Sequence, residues 1–261
     1  MDKGARKPVN YYINDVLQGR DGAVKEFVRE SRNDWEYYHV PGLTKAGIVH
    51  GFFTRRSPAS PLKGHQAEAF LDAFSLGDAV GLSQEHGTDI HVIGNGDRPV
   101  KGDGILLYKR GIAGVINTAD CLCIILVDPG FPMVSIVHAG WRGTLRKIAS
   151  RAVGMMTERG AATQRMLALM GPCIRGCCYE VGKEVADAFL DAGFPGDVLT
   201  SVNGSLHLDL AAANAHLVHE EGVHSICDTG LCTYCGDGDF VSYRRGARNA
   251  RQMNFVAIKD R

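Results

Sequence analysis

Apolar residues along the chain gather in short runs rather than long stripes. IVHGFFT (48–54), IHVI (90–93), GILLYK (104–109), IAGVIN (112–117), LCIILV (122–127), MVSIVH (133–138) and MLALMG (166–171) are separated by Gly, Pro, Asp or polar segments. Short continuous runs of this kind suit strands buried on both faces. Helical spacing shows in the second half. Leu145, Ile148, Ala149, Ala152, Val153 and Met156 share one face at a 3.6-residue period, which predicts a helix from Leu145 to Glu158, closed by Gly160. Lys183 to Ala192, closed by Gly193, reads the same way. So does a helix capped by Asp209 that runs to Glu221 before Gly222. Shorter helices are expected at Ala23–Val28 and Gln66–Phe74, the latter after a loop marked by Pro58, Pro61 and Gly64. The β segments cluster early among interspersed helices, which favours a mixed layered α/β domain over a regular doubly wound sheet.

Composition narrows the function classes. With 261 residues, 45% of them hydrophobic, the chain can bury a large core. The 29 basic and 29 acidic residues balance, so neither a nucleic acid nor an acidic membrane is an expected partner. No apolar run approaches the ~20 residues that span a bilayer, and the basic N-terminal stretch is followed by no apolar segment. A cytoplasmic location is expected, and with it reduced thiols for the eight cysteines. Cys232 and Cys235 form a lone CxxC, expected to be ordinary thiols, and Cys173, Cys177 and Cys178 read as buried or idle. His216 and His219, at i and i+3 of a predicted helix, read as solvent-facing.

Three stretches place metal-competent side chains at the ends of apolar strands: SQEHGTDI with His86, NTADCLCIIL with Asp120 and Cys121, and VSIVHAGWRGT with His138 and Arg142. Strand ends are where scaffolds carry reactive groups. Two imidazoles and a thiolate suit zinc with one coordination position left open, although spacing alone leaves buried core His and Cys as an alternative. The glycines of AGWRGT permit a tight turn into a helix N-terminus, which favours an anion such as phosphate. Arg142 and the basic Arg146 and Lys147 lie beside it.

ADCLCIIL and VHAGWRGT resemble the signature strings of the laccase-domain family, also called YfiH-like or multicopper polyphenol oxidase-like. HGFFTRR (50–56), QEHGT (84–88), GDGILL (102–107), GPCIRGCCYEVG (171–182), LHLDLAAANAHLVHEEGV (206–223) and CTYCGDGDFVSYRR (232–245) extend the resemblance over roughly residues 38–256. The resemblance implies an α+β fold layered α/β/β/α, with two mixed sheets packed together between flanking helices. It implies a single catalytic domain over 38–261, after an N-terminal extension of residues 1–37, in a monomer or weak homo-oligomer. It also implies zinc, or copper, on His86, Cys121 and His138.

The implied activities are phosphorolysis of adenosine, inosine and methylthioadenosine, and adenosine deamination, with purine nucleosides and phosphate as partners. Arg55, Arg244 and Arg245 are then possible phosphate or purine contacts beside Arg142. Asp103, Asp120 and Glu180 are possible proton carriers or partners of a ligand imidazole. The chain departs from the family at SPASPLKGHQAEAF (57–70), near the pocket in relatives, and at Cys123, where Pro is usual. Competing readings are a copper polyphenol oxidase, weakened by the lack of any HxH among ten histidines, and a Cys121–His138 hydrolase. A zinc-dependent interaction protein without catalysis is a further alternative.

Overall fold

A computed structural model describes residues 26–58, 64–94 and 101–260. The chain runs β1 (Val28–Arg32), β2 (Trp35–His39), α1 (Pro41–Lys45), β3 (Ile48–Phe53), α2 (His65–Phe74), β4 (Asp78–Gly81), β5 (Ile90–Ile93), β6 (Gly104–Leu107), β7 (Ile112–Thr118), β8 (Leu122–Asp128), β9 (Met133–Ala139), α3 (Trp141–Leu145), α4 (Ile148–Thr157), β10 (Leu167–Met170), α5 (Lys183–Asp191), β11 (Leu199–Val202), β12 (Ser205–Leu208), α6 (Leu210–Glu220), β13 (Ser225–Asp228) and β14 (Gln252–Ile258). One six-stranded sheet has the order β1-β2-β3-β14-β7-β4, a second β13-β10-β8-β9-β6-β5, and β11-β12 form a separate hairpin. Both large sheets mix parallel and antiparallel pairs.

The period of two along a strand explains why the runs lack polar alternation. In β8, Leu122, Ile124 and Leu126 face the core under α4 and α6, whereas Cys123, Ile125 and Val127 face the other sheet. In β14, Val256 and Ile258 face the inter-sheet core, and Met253, Phe255 and Ala257 face outward into a third cluster. That cluster is aromatic. Trp35, Tyr37, Phe53, Phe70, Phe74 and Phe255 fill it beneath α2. Phe53 stacks on Phe255 at 5.4 Å, and Trp35 meets Phe70 edge-on at 5.6 Å. Each such pair adds roughly 0.5–1.5 kcal/mol to the area it buries. The result is the α/β/β/α layering expected from the resemblance. Among the described residues, no helix is long and apolar enough to cross a membrane.

The helix expected from Leu145 to Glu158 needs correction. The strip drawn from Leu145 to Glu158 is two helices, because Lys147 takes a left-handed conformation (φ 61°) between α3 and α4. The apolar stripe survives as Ile148, Ala149, Ala152, Val153 and Met156, all buried. Residues 23–25 of the helix expected at Ala23–Val28 lie outside the described residues, and Val28 begins a strand. The boundary drawn at residue 38 falls inside β2, whose Trp35 and Tyr37 are buried. Elsewhere the caps are as read: Asp209 accepts from the Ala211 and Ala212 N–H groups at 3.0 Å each, and Gly193 and Gly222 close their helices with positive φ.

Candidate metal centre and cleft

The site grows from the register of β8 and β9. These strands pair antiparallel with Cys123 opposite His138 and Leu122 opposite Ala139. Cys121, two residues before Cys123, therefore lies on the same face as His138 at the rim of the inter-sheet core. Gly140 comes next to it. A Cβ on Gly140 would lie 3.1 Å from both Cys121 Sγ and His86 Cδ2, and one on Gly143 would lie 3.0 Å from the Gly87 carbonyl oxygen. Neither glycine has a positive φ. Close approach to the ligand residues, rather than the tight turn expected from the sequence, requires them.

His86 reaches the site from the segment between β4 and β5, in a left-handed conformation (φ 59°). Asp103, just before β6, holds that conformation. Its carboxylate accepts from the N–H groups of Glu85 (3.2 Å), His86 (2.9 Å) and Gly87 (2.6 Å), and also from His138 Nδ1 (2.8 Å). Burial alone would raise the Asp103 pKa. The hydrogen bonds from His138 and Gly87 more than offset it and keep the group below the usual carboxylate range. With Nδ1 bound to Asp103, His138 presents Nε2 to the centre. The ligand atoms of His86, Cys121 and His138 all lie within 4.8 Å of one another.

The donor set fits a metal ion: two imidazoles and a thiolate converge, one imidazole is oriented by a carboxylate, and all three residues line a cleft. Electrostatics agree. Burial pushes the Cys121 thiol up, but the charge of His138 and hydrogen bonds from His138 and His86 bring it down to about 6. Burial pushes His138 down, and Cys121 and Asp103 raise it to about 9. Each group thus favours the charged form of the other.

Above the centre opens a cleft of about 590 Å³, within the range of small-molecule sites, lined by Trp141, Arg142, Tyr179, Tyr243, Arg244 and Arg251 among others. The Arg142 guanidinium lies over the Trp141 ring at 4.4 Å. Arg244 donates to the Glu180 carbonyl oxygen and stacks on Tyr179. Asp120 (φ 82°) is a brace: buried, it accepts from Thr233 Oγ1 (2.6 Å), Ser242 Oγ (3.1 Å) and the Arg244 N–H (2.8 Å).

Other expected residues fall elsewhere. Arg55 is exposed beyond β3, outside the cleft lining, and Arg245 is tied to the Tyr234 and Phe240 carbonyl oxygens. The Glu180 side chain is outside the cleft. Arg251, Tyr179 and Tyr243 line it, although nothing in their sequence setting singled them out. Their only signal is proximity to motifs already noticed. The cysteines read as idle are not scattered: the sulfurs of Cys177, Cys178, Cys232 and Cys235 also lie within 4.8 Å of one another.

The two-sheet fold and the His–Cys–His centre under an open cleft define a laccase-domain protein. More particularly, the chain belongs to the family described as multi-copper polyphenol oxidoreductase laccase, whose model matches residues 65–259. It is 37% identical over 180 residues to a purine nucleoside phosphorylase of Deinococcus radiodurans, covering 69% of this chain and 70% of that protein. It is 40% identical over 163 residues to adenosine deaminase RL5 of an unknown prokaryotic organism, covering 60% and 62%. The crystal structure of YlmD from Geobacillus stearothermophilus superposes with a TM-score of 0.79 at 26% identity, over 91% of this chain and all of that one.

Proposed function

We propose that this chain is a zinc-dependent purine nucleoside enzyme that cleaves adenosine, inosine and methylthioadenosine with phosphate and also deaminates adenosine. The observation that carries the reading is the convergence of His86, Cys121 and His138 at the floor of an arginine-lined cleft. The names of the Deinococcus and RL5 relatives support the substrate class. His86, Cys121 and His138 would hold the zinc ion, which would supply Lewis acidity and activate water at neutral pH. The chain's own groups do the rest. Asp103 fixes the tautomer of His138 and the backbone that carries His86. Trp141, Tyr179 and Tyr243 offer flat surfaces for a purine.

Arg142 holds the phosphate beside the ribose C1′. Its guanidinium has no hydrogen-bond partner among the described residues, whereas Arg244 already holds the Glu180 carbonyl oxygen. Phosphorolysis gains mainly from such positioning and charge stabilisation. Copper in place of zinc would suit the same donors. The Cys121–His138 pair alone would also suit a cysteine hydrolase, but His86 on the same sulfur favours a coordinated thiolate. The test is incubation of metal-analysed protein with each of the three nucleosides, with and without phosphate, followed by chromatography. Free base should appear only with phosphate, together with ribose 1-phosphate from adenosine and inosine and 5-methylthioribose 1-phosphate from methylthioadenosine, and inosine should form from adenosine in either case. No product from any nucleoside would end the reading.

A further inference from the structure

The four cysteines outside the cleft form a second cluster, assembled from two distant segments. Cys177 and Cys178 lie between β10 and α5, and Cys232 and Cys235 lie between β13 and β14. Their sulfurs all fall within 4.8 Å of one another, with Cys177 Sγ and Cys235 Sγ 3.6 Å apart. Four thiolates around one ion at about 2.3 Å make a tetrahedron with edges of about 3.8 Å. A disulfide would need about 2.05 Å, and all eight cysteines are free thiols in the structure. An iron–sulfur cube placed among four cysteines would hold their sulfurs much farther apart than a single ion does.

The backbone after Cys232 folds tightly, which brings Cys235 back beside it. The Gly236 N–H donates to the Cys232 carbonyl oxygen at 3.1 Å, closing the CxxC turn, and a Cβ on Gly236 would lie 2.6 Å from that oxygen. Only glycine fits after the second cysteine. The two segments are also zipped together beside the cluster, where the Thr233 N–H donates to the Cys173 carbonyl oxygen at 3.0 Å and the Cys173 N–H to that of Leu231 at 3.3 Å.

We propose that Cys177, Cys178, Cys232 and Cys235 bind a structural zinc ion, separate from the centre at His86, Cys121 and His138. Four protein sulfurs fill a tetrahedral shell and leave no open position, so the ion does no chemistry. It pins two walls of the cleft instead. The first segment carries Tyr179. The second carries Thr233 and Ser242, whose hydroxyls donate to Asp120 next to Cys121, and Arg244, whose N–H does the same. The inference is independent of the substrate reading.

The test is the zinc content of the full chain, expressed in zinc-supplemented medium and analysed by plasma mass spectrometry. The variants are Cys121→Ala and the double variant Cys177→Ser with Cys235→Ser. The wild type should carry about two zinc ions per chain and each variant about one. The Cys121→Ala protein keeps all four cluster cysteines, so its content decides the matter even where the double variant fails to fold. A thiol reagent followed by peptide mapping gives a second readout: Cys177 and Cys235, though exposed, should react only after a strong chelator is added. A Cys121→Ala protein without zinc, iron in its place, a disulfide among the four, or immediate labelling of Cys177 and Cys235 would each overturn the proposal.

Discussion

At the scale of single residues, Asp103 carries more of the site than any ligand. It orients His138 through Nδ1 and fixes the left-handed backbone at His86 through three N–H groups, so one carboxylate positions two of the three proposed metal donors. Asp103→Asn keeps the shape but presents an amide where a charge-accepting oxygen is needed. Zinc affinity at this centre should fall about 10- to 100-fold, the usual cost of losing such a partner, measured by competition with a chelating dye. An unchanged affinity would show that His138 needs no orienting group.

In the proposed reading, Arg142 separates the two chemistries. A charge-assisted hydrogen bond contributes roughly 1.5–3 kcal/mol, so Arg142→Ala should lower phosphorolytic kcat/KM about ten- to a hundredfold and largely spare deamination. If Arg142 merely clamps the turn after His138, both activities and the melting temperature would fall together. His50 is a purely structural residue. It is buried, its Nε2 accepts from the Val40 N–H at 3.0 Å, and burial pushes its pKa from 6.5 down to about 3. The unfolded chain binds this proton below pH 6.5 and the folded chain does not until about pH 3. Stability should therefore decline on acidification through that window, by at most about 5 kcal/mol from this group. Thermal melts of wild type and His50→Gln across that range should converge at low pH.

At the scale of elements, the sequence revealed the buried strands well, because hydrophobic runs such as LCIILV have no other plausible home. It missed elements whose apolar residues are interrupted. In β14, Gln252 and Asn254 break the run, yet both are buried and satisfied. Gln252 Oε1 accepts from the Val241 N–H, and Asn254 Nδ2 donates to the Ile116 carbonyl oxygen and Thr118 Oγ1. Such tertiary partners are invisible to periodicity. Lys147 shows the opposite failure, since a helical stripe continued through a residue that turns left-handed. β2 is the costly omission. Trp35 and Tyr37 complete the aromatic layer over Phe53 and Phe255. Trp35→Ala should cost about 3–5 kcal/mol. A chain truncated before residue 38 should lose its cooperative thermal transition in calorimetry; a retained transition would mean that β1 and β2 are dispensable.

At the scale of the whole molecule, two sheets meet so that the ends of β8 and β9, the turn before β6 and the segment after β4 converge on one point. His86, Cys121 and His138 stood out at the ends of apolar runs, but spacing alone left buried core His and Cys as an alternative, and it was the family resemblance that joined them. The arginines of the cleft were half legible. Arg142 and Arg244 line it, but Arg55 does not, because a motif says which residues are unusual and not which way they point. The four-cysteine cluster was not legible, because a CxxC alone carries little weight and its partners lie more than fifty residues away in sequence.

Metal binding also has a signature in proton release. Between pH 6 and 9 the metal-free Cys121–His138 pair holds one proton that a coordinated ion must displace. Zinc binding at that centre should release about one proton near neutral pH and weaken as the pH falls, as calorimetry in buffers of different ionisation enthalpy would record.

The central claim is that purine nucleosides react at a metal held by His86, Cys121 and His138. It is tested most directly by following adenosine turnover, in phosphate and without it, for zinc-loaded wild type and zinc-loaded Cys121→Ala at matched folding. The wild type should give adenine with ribose 1-phosphate only in the first condition and inosine in both, and the variant should lose both reactions by a hundredfold or more, on the order of a lost metal ligand. A folded Cys121→Ala protein that turns adenosine over at the wild-type rate would contradict the account.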